Sequence, residues 1–227
     1  KQYINNALEI NNKQQKVIYH GISPQFKRDV QVQKEISEYS FENPFNFLYV
    51  STIHVYKNQW NVVRAISNLR QKGFPISLTL VGGVIFKPAG DLLSSIIEEL
   101  DPEKKFVENK GNVPYSKISE EYNNALGIIF ASNCENMPNI LIESMSSGKP
   151  IVCSNKAPMP EFLKKNGFYF NPKDVESLEN SIIDFLMQPL KRESMAKKNI
   201  QEVKKYSWGK TASETLSFIQ YIFNNNL

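Results

Sequence analysis

The chain has 227 residues, 41% hydrophobic and 22% charged, which is enough to bury a full core and unlike a disordered tail. Its net charge of +4 does not call for nucleic acid, which demands a concentrated basic face. No apolar run of roughly eighteen residues occurs, so no membrane-spanning helix is expected. No secretory leader is evident either, and the expected setting is cytoplasmic, extending at most to the inner face of a membrane.

The first residues, KQYINNALEINNKQQKVIYHGIS, read as the last helix and strand of a preceding domain, with His20 in a packing role. Phe47 to Val50 form a strand. Lys57 to Lys72 then carry Val62, Val63, Ala65, Ile66 and Leu69 at helical spacing, and Leu78, Leu80 and Val81 make a second strand. Phe106 and Val107 start a short strand, and Pro114 to Ala125 form a helix. The apolar run Leu126, Ile128, Ile129, Phe130 ends at Ala131 and Ser132, so Asn133 to Glu135 emerge where a parallel strand would end. Ligands of open α/β sheets bind there. Pro138 suits a first helical turn, and Gly148 followed by Pro150 fits a helix stop. Strands follow at Pro150 to Ser154 and Phe168 to Phe170. Helices close the chain at Asp174 to Met187, Leu190 to Lys205 and Ser207 to Phe223. Alternating strands and helices predict a Rossmann-like parallel sheet with helices on both faces and a helical C-terminal extension.

The short helix after Pro138 offers free N–H groups and a dipole to an anion such as a pyrophosphate. Glu135 precedes it, and Glu143 lies five residues beyond Pro138, about 7.5 Å along the axis. Two carboxylates flanking such a site suit the hydroxyls on either side of a sugar nucleotide's pyrophosphate. A plainer reading stands beside this one. Ile140, Leu141, Ser144 and Met145 share a helical face, which makes this a packing helix, with Glu143 an ordinary carboxylate at the edge of the apolar stripe.

Three runs, FLYVSTIHVYKNQWNVVRAISNLRQKGFPISLTLVGG, ENMPNILIESMSSGKPIV and CSNKAPMPEFLKKNGFYFNP, resemble the donor-binding half of retaining glycosyltransferases of family 4. The resemblance runs from about Val17 to the C-terminus. It implies the C-terminal half of a GT-B fold, and carries over the family's two glutamates, eight positions apart, onto Glu135 and Glu143. Glu135 would contact the transferred sugar and Glu143 the ribose, while Asn136, Met137, Pro138 and Asn139 meet donor oxygens. The family's lysine falls on Lys57, which with Glu135 is expected to be catalytic. Its usual glycine and arginine are replaced here by Ser51 and Thr52, which leaves the diphosphate one fewer side-chain cation. The resemblance also implies that residues 1–22 end an absent acceptor-binding domain, that 23–205 bind the donor, and that 206–227 form a helix packing back toward the absent domain.

The expected activity is that of a hexosyltransferase using a UDP or GDP sugar as substrate, without cofactor or metal. Its acceptor is a glycan or lipid-linked molecule held by the absent domain, so that this fragment alone is inactive. A noncatalytic sugar-nucleotide binding module and a GT-B sugar-nucleotide epimerase remain as alternatives. Polysaccharide synthesis is the setting by family analogy, and base contacts are expected around Gly111 to Val113. Neither His20 nor His54 has a partner at metal-ligand spacing, and there is no D-x-D pair. His54 reads as structural. Cys134 and Cys153 end adjacent strands, as neighbouring reduced thiols rather than a bonded pair. Lys191, Lys198 and Lys205, with Arg192, Lys197 and Lys204 beside them, form a basic stripe that reads as a solvated helical face, with peripheral membrane contact as its weaker alternative.

Overall fold

The computed structural model describes residues 15–225; the helix expected at the start of the sequence lies outside the described residues, and residues 15–23 do not form the strand expected to follow it. Six strands form one sheet: β1 (Phe45–Val50), β2 (Ile76–Val81), β3 (Val107–Asn109), β4 (Gly127–Phe130), β5 (Ile151–Ser154) and β6 (Phe168–Phe170). All pairings are parallel, and the spatial order is β3-β2-β1-β4-β5-β6. In register, Phe47 of β1 lies opposite Leu78 on one side and Gly127 on the other. The residues of β4 and β5 are all buried, and β1 and β2 are buried at all but one position each. Continuous apolar strands are what a parallel sheet covered on both faces requires.

Eight helices lie among the described residues: α1 (Gln59–Gln71), α2 (Lys87–Leu100), α3 (Tyr115–Asn124), α4 (Asn139–Ser146), α5 (Met159–Leu163), α6 (Val175–Leu186), α7 (Pro189–Val203) and α8 (Trp208–Asn225). Helix α1 buries the expected stripe of Val62, Val63, Ala65, Ile66 and Leu69. Asp174 caps α6 by accepting a hydrogen bond from the Ser177 N–H at 3.1 Å. The patterning did not single out α2 or α5. Pro138 stands just before α4 rather than in its first turn. None of the described helices is long and apolar enough to cross a membrane.

The basic stripe needs one correction. Arg192 does not share the solvated face of α7; it is fully buried, donating to the carbonyls of Phe185, Leu186 and Lys34 with its guanidinium over the rings of Phe45 and Phe185. It ties the last carbonyls of α6 to the segment before β1, a use of the planar fork that a lysine could not copy. Lys197, Lys198, Lys204 and Lys205 are exposed.

The chain divides into two compact units. Pro24–Val203 contains the sheet and α1 to α7. The other unit joins the segment ending at Ser23 to the one starting at Lys204. Within it the His20 ring stacks on Trp208 at 5.9 Å, Tyr19 meets Tyr206 edge-on at 5.6 Å, and the Thr211 hydroxyl donates to the Tyr19 carbonyl at 2.7 Å.

The strand order fixes where a ligand would sit. From β1 the chain winds outward through β2 to β3, then returns to β4 on the other side of β1 and winds outward again. The crossovers therefore part between the carboxyl ends of β1 and β4, the crevice where open α/β sheets hold ligands.

Candidate functional site

Both edges of that crevice come from loops that bind each other. After β1 the chain passes through Ser51 and Thr52 to a short 3₁₀ turn, Val55–Lys57, and then to Asn58 in the left-handed conformation at φ 55°. Asn58 donates through Nδ2 to the Ala131 carbonyl at 2.8 Å, and the Asn133 N–H donates to the Tyr56 carbonyl at 2.8 Å. From beneath, the buried Tyr49 hydroxyl donates to the Lys57 carbonyl at 2.7 Å. The loop after β1 and the loop after β4 are thereby one hydrogen-bonded unit.

Ser51 is buried; its N–H donates to the Val81 carbonyl at 2.8 Å and its hydroxyl to the Thr52 carbonyl at 3.1 Å. The approach is so close that a Cβ on Gly82, which sits at φ +146°, would lie 2.0 Å from the Ser51 carbonyl oxygen. Only glycine fits there. Thr52 is exposed at the crevice. His54 packs against the rings of Tyr56 and Phe86 at 4.5 and 5.3 Å, with a buried Nδ1 that has no partner among the described residues.

Lys57 is buried at 5% exposure, and its ammonium is paired with Glu135 Oε1. The sequence singled out both residues, and the structure brings them into direct contact. The side chains are 6% and 16% exposed, so the pair is largely withdrawn from water, where a lone charge would be costly. The Tyr56 ring flanks the ammonium at 5.0 Å.

Beyond Glu135, Asn136 and Asn139 are exposed, Met137 is half-buried and Pro138 is buried, with the Asn139 N–H donating to the Met137 carbonyl at 2.9 Å. They form the turn into α4, whose N-terminal end lies at the crevice. Glu143 follows one turn in. It is buried at 9% exposure and accepts a hydrogen bond from the Tyr115 hydroxyl at 3.2 Å. Burial pushes its carboxyl up to about 7, against the opposing effect of the Tyr115 hydrogen bond. On the plainer reading Glu143 sits at the edge of an apolar stripe, yet every residue from Leu141 to Ser146 is buried and α4 has no solvated side there. Helix α4 is enclosed partly by the segment before β1. The Arg28 N–H donates to the Ser146 carbonyl at 3.2 Å, and Lys149 Nζ donates to Gln31 Oε1 at 2.8 Å and to the Asn123 carbonyl at 3.2 Å. Burial lowers Lys149 to about 8.

The Gly111 to Val113 loop lies beside the turn after β2, with the Gly82 N–H donating to the Gly111 carbonyl at 2.7 Å. It leads into α3, which begins at Tyr115. Three residues that build the site drew no attention in the sequence: Asn58, Tyr115 and Lys149. Asn58 had a readable signal, an asparagine just before a helix, where a left-handed residue is tolerated. Cys134 is exposed and Cys153 buried, both free thiols, with burial raising the Cys153 thiol. No group of three or more His, Cys, Asp or Glu side chains is placed to hold a metal among the described residues.

This arrangement offers a buried cation and a helix N-terminus to an anion, with two carboxylates in unlike surroundings at either side. Residues 31–202 match the family model described as "Glycosyl transferases group 1". The chain is 25% identical over 173 residues to O-antigen chain mannosyltransferase B of Escherichia coli, covering 75% of this chain and 44% of that protein. It is 29% identical over 103 residues to sulfoquinovosyl transferase SQD2 of Arabidopsis thaliana, covering 43% of this chain and 20% of that one. Among solved structures, a glycosyltransferase from Rickettsia africae superposes with a TM-score of 0.80 at 20% identity, over 99% of this chain and 61% of that chain. HepE of Anabaena, solved in complex with UDP and glucose, superposes with a TM-score of 0.74 at 22% identity, over 89% of this chain and 56% of that chain. The chain thus spans less than two thirds of each.

Proposed function

The chain belongs to the group 1 glycosyl transferases, with a Rossmann-like sheet of the GT-B type, and from that premise we propose that its crevice binds the nucleoside diphosphate sugar of a retaining, metal-independent hexosyltransferase of the family 4 kind. The observation that carries this reading is the buried Lys57–Glu135 pair at the switch point, directly before α4 and Glu143. The diphosphate lies between Lys57 and the α4 N-terminus, with Asn136, Met137, Pro138 and Asn139 around its oxygens. As the bond from the sugar's anomeric carbon to the diphosphate oxygen breaks, negative charge grows on the leaving group, and a fixed cation and helix dipole stabilise it without reorganising. Glu135, held by Lys57, accepts from hydroxyls of the transferred sugar. Glu143 accepts from the ribose. Ser51 and Thr52 stand where the wider family supplies glycine and arginine, so hydroxyls and backbone take a larger share of the diphosphate here.

Transfer to a glycan or lipid-linked acceptor is proposed for the full-length protein, since the chain spans 44% of the Escherichia coli mannosyltransferase that it resembles. A GT-B reaction orients its acceptor and excludes water by closing two domains on the donor. Donor assignment is tested by calorimetric titration of UDP, GDP, ADP and their sugar derivatives. A uridine or guanosine diphosphate should bind with a Kd that rises in Glu143→Ala, and identical heats for protein and buffer across the whole panel would end the proposal.

A further inference from the structure

Glu143 is a carboxylate in an unusual position. It is 9% exposed, carries no ion-pair partner among the described residues, and receives one hydrogen bond, from the Tyr115 hydroxyl to Oε1 at 3.2 Å. The groups around it are few. From α3 it faces two phenols, Tyr115 and Tyr122, both held protonated by burial and by the carboxylate itself. The basic side chains of the adjoining segments are engaged elsewhere, Arg28 with Asn123 Oδ1 at 2.7 Å and Lys149 with Gln31 and the Asn123 carbonyl. Tyr122 spends its hydroxyl on the neighbouring turn of α4, near Ser144 Oγ at 3.2 Å and the Ile140 carbonyl at 3.4 Å.

Tyr115 is differently placed. It is 55% exposed, yet its polar end reaches a buried carboxylate, and its ring is steadied by Phe26 edge-on at 5.5 Å. It starts α3 just after Pro114, which follows the 111–113 loop, so its side chain links that stretch to α4.

We propose that Tyr115 is a positioning residue for donor binding, its hydroxyl holding Oε1 of Glu143 so that the carboxylate presents its remaining oxygen to the ribose; this rests on the ribose role given to Glu143 above. A carboxylate in an apolar enclosure drifts toward its neutral form unless a donor favours the anion. Tyr115 supplies that donor. Burial already brings the Glu143 midpoint to about 7, so near neutrality its ionised fraction responds steeply to the loss of one hydrogen bond. If Tyr115→Phe raised the midpoint by about one pH unit, the ionised fraction at pH 7 would drop from roughly a half to roughly a tenth, a loss of about fivefold in ribose-dependent affinity.

The test compares wild type, Tyr115→Phe and Glu143→Gln, titrated with UDP and with GDP from pH 6 to 9, together with a pH titration of the Glu143 side-chain carboxyl by ¹³C NMR in the ligand-free proteins. Tyr115→Phe keeps the ring and its contact with Phe26, and the titration of the nucleotide's own phosphate is common to all curves. Tyr115→Phe should bind about fivefold more weakly at pH 7, converge on wild type by about pH 9, and show a Glu143 carboxyl midpoint moved upward. A Tyr115 with only a structural part would lower affinity equally at every pH and leave the carboxyl midpoint in place, and either result overturns the inference. If Glu143→Gln binds UDP and GDP as wild type does, the ribose assignment fails and this inference with it. If Glu143→Gln binds weakly while Tyr115→Phe follows the wild-type curve, the inference about Tyr115 alone fails. Should neither nucleotide bind, an unmoved carboxyl midpoint in Tyr115→Phe overturns it without them.

Discussion

Glu135 and Glu143 stand eight positions apart around one helix N-terminus, yet they rest on opposite electrostatic footings. Glu135 lies on a loop with a buried ammonium as its partner. Glu143 lies inside a helix, more deeply enclosed, with a single phenol as donor and its carboxyl brought up to about 7 by burial. The first carboxylate is held by charge and the second by shape. A residue type alone says little about how a site will respond to pH, salt or mutation; what encloses each carboxylate decides that.

Breaking the charged side should have the largest effect. Lys57→Ala leaves the Glu135 carboxylate largely buried without a cation, and should destabilise the fold by about 2–4 kcal/mol in urea denaturation, with Lys57→Ala/Glu135→Ala recovering part of the loss. Additive single and double variants would mean that water screens the pair. On the enclosed side, Glu143→Ala should weaken nucleoside diphosphate binding by about 1–3 kcal/mol. Glu135→Ala should instead weaken the sugar nucleotide more than the free diphosphate. Equal losses for the two ligands would erase the division of labour between the two residues.

Stability sharpens the same contrast. The carboxyl of Glu143 keeps its proton in the folded chain up to about 7, whereas an unfolded chain releases it near 4.5. Its favourable contribution is therefore present below the unfolded value and is lost as pH rises through that window. Glu143→Gln should raise thermal stability at pH 8 by an amount worth about 1–2 kcal/mol, with the gain shrinking toward pH 5, while donor binding weakens. A gain independent of pH would show that enclosure is not what strains this carboxylate. The smallest effect is expected at the rim. Thr52→Arg, at an exposed position beside the proposed diphosphate site, should tighten nucleoside diphosphate binding by about 0.5–1 kcal/mol in dilute buffer and by less in high salt.

Much of this architecture could be read without coordinates, and the reasons are local. Strands such as Phe45–Val50 and Ile151–Ser154 are buried on both faces, so they appear as unbroken apolar runs, and α1 shows its buried stripe at helical period. The two glutamates could be picked out because a strand end and a helix start mark where they emerge, whereas Lys57 stood out only through the resemblance of its flanking run to family 4 glycosyltransferases. What escaped was set by partners distant in sequence. Arg192 looked like one cation among several until the carbonyl of Lys34 and the ring of Phe45 came to it from the far end of the chain. The enclosure of Glu143 depends on Tyr115 and on the segment around Arg28, and no periodicity within α4 can announce either.

The stitching of the two crevice loops has a kinetic corollary. With Tyr49, Asn58 and the Asn133 amide already holding the turn around Lys57, the cation sits in position before any ligand arrives, and binding need not first gather a floppy segment. Association should then proceed in one phase whose rate climbs linearly with nucleotide concentration and shows no plateau from a slow conformational step. The Asn133 amide should exchange its hydrogen slowly even in ligand-free protein, as part of the rigid floor on which the donor lands rather than of a cover that folds over it.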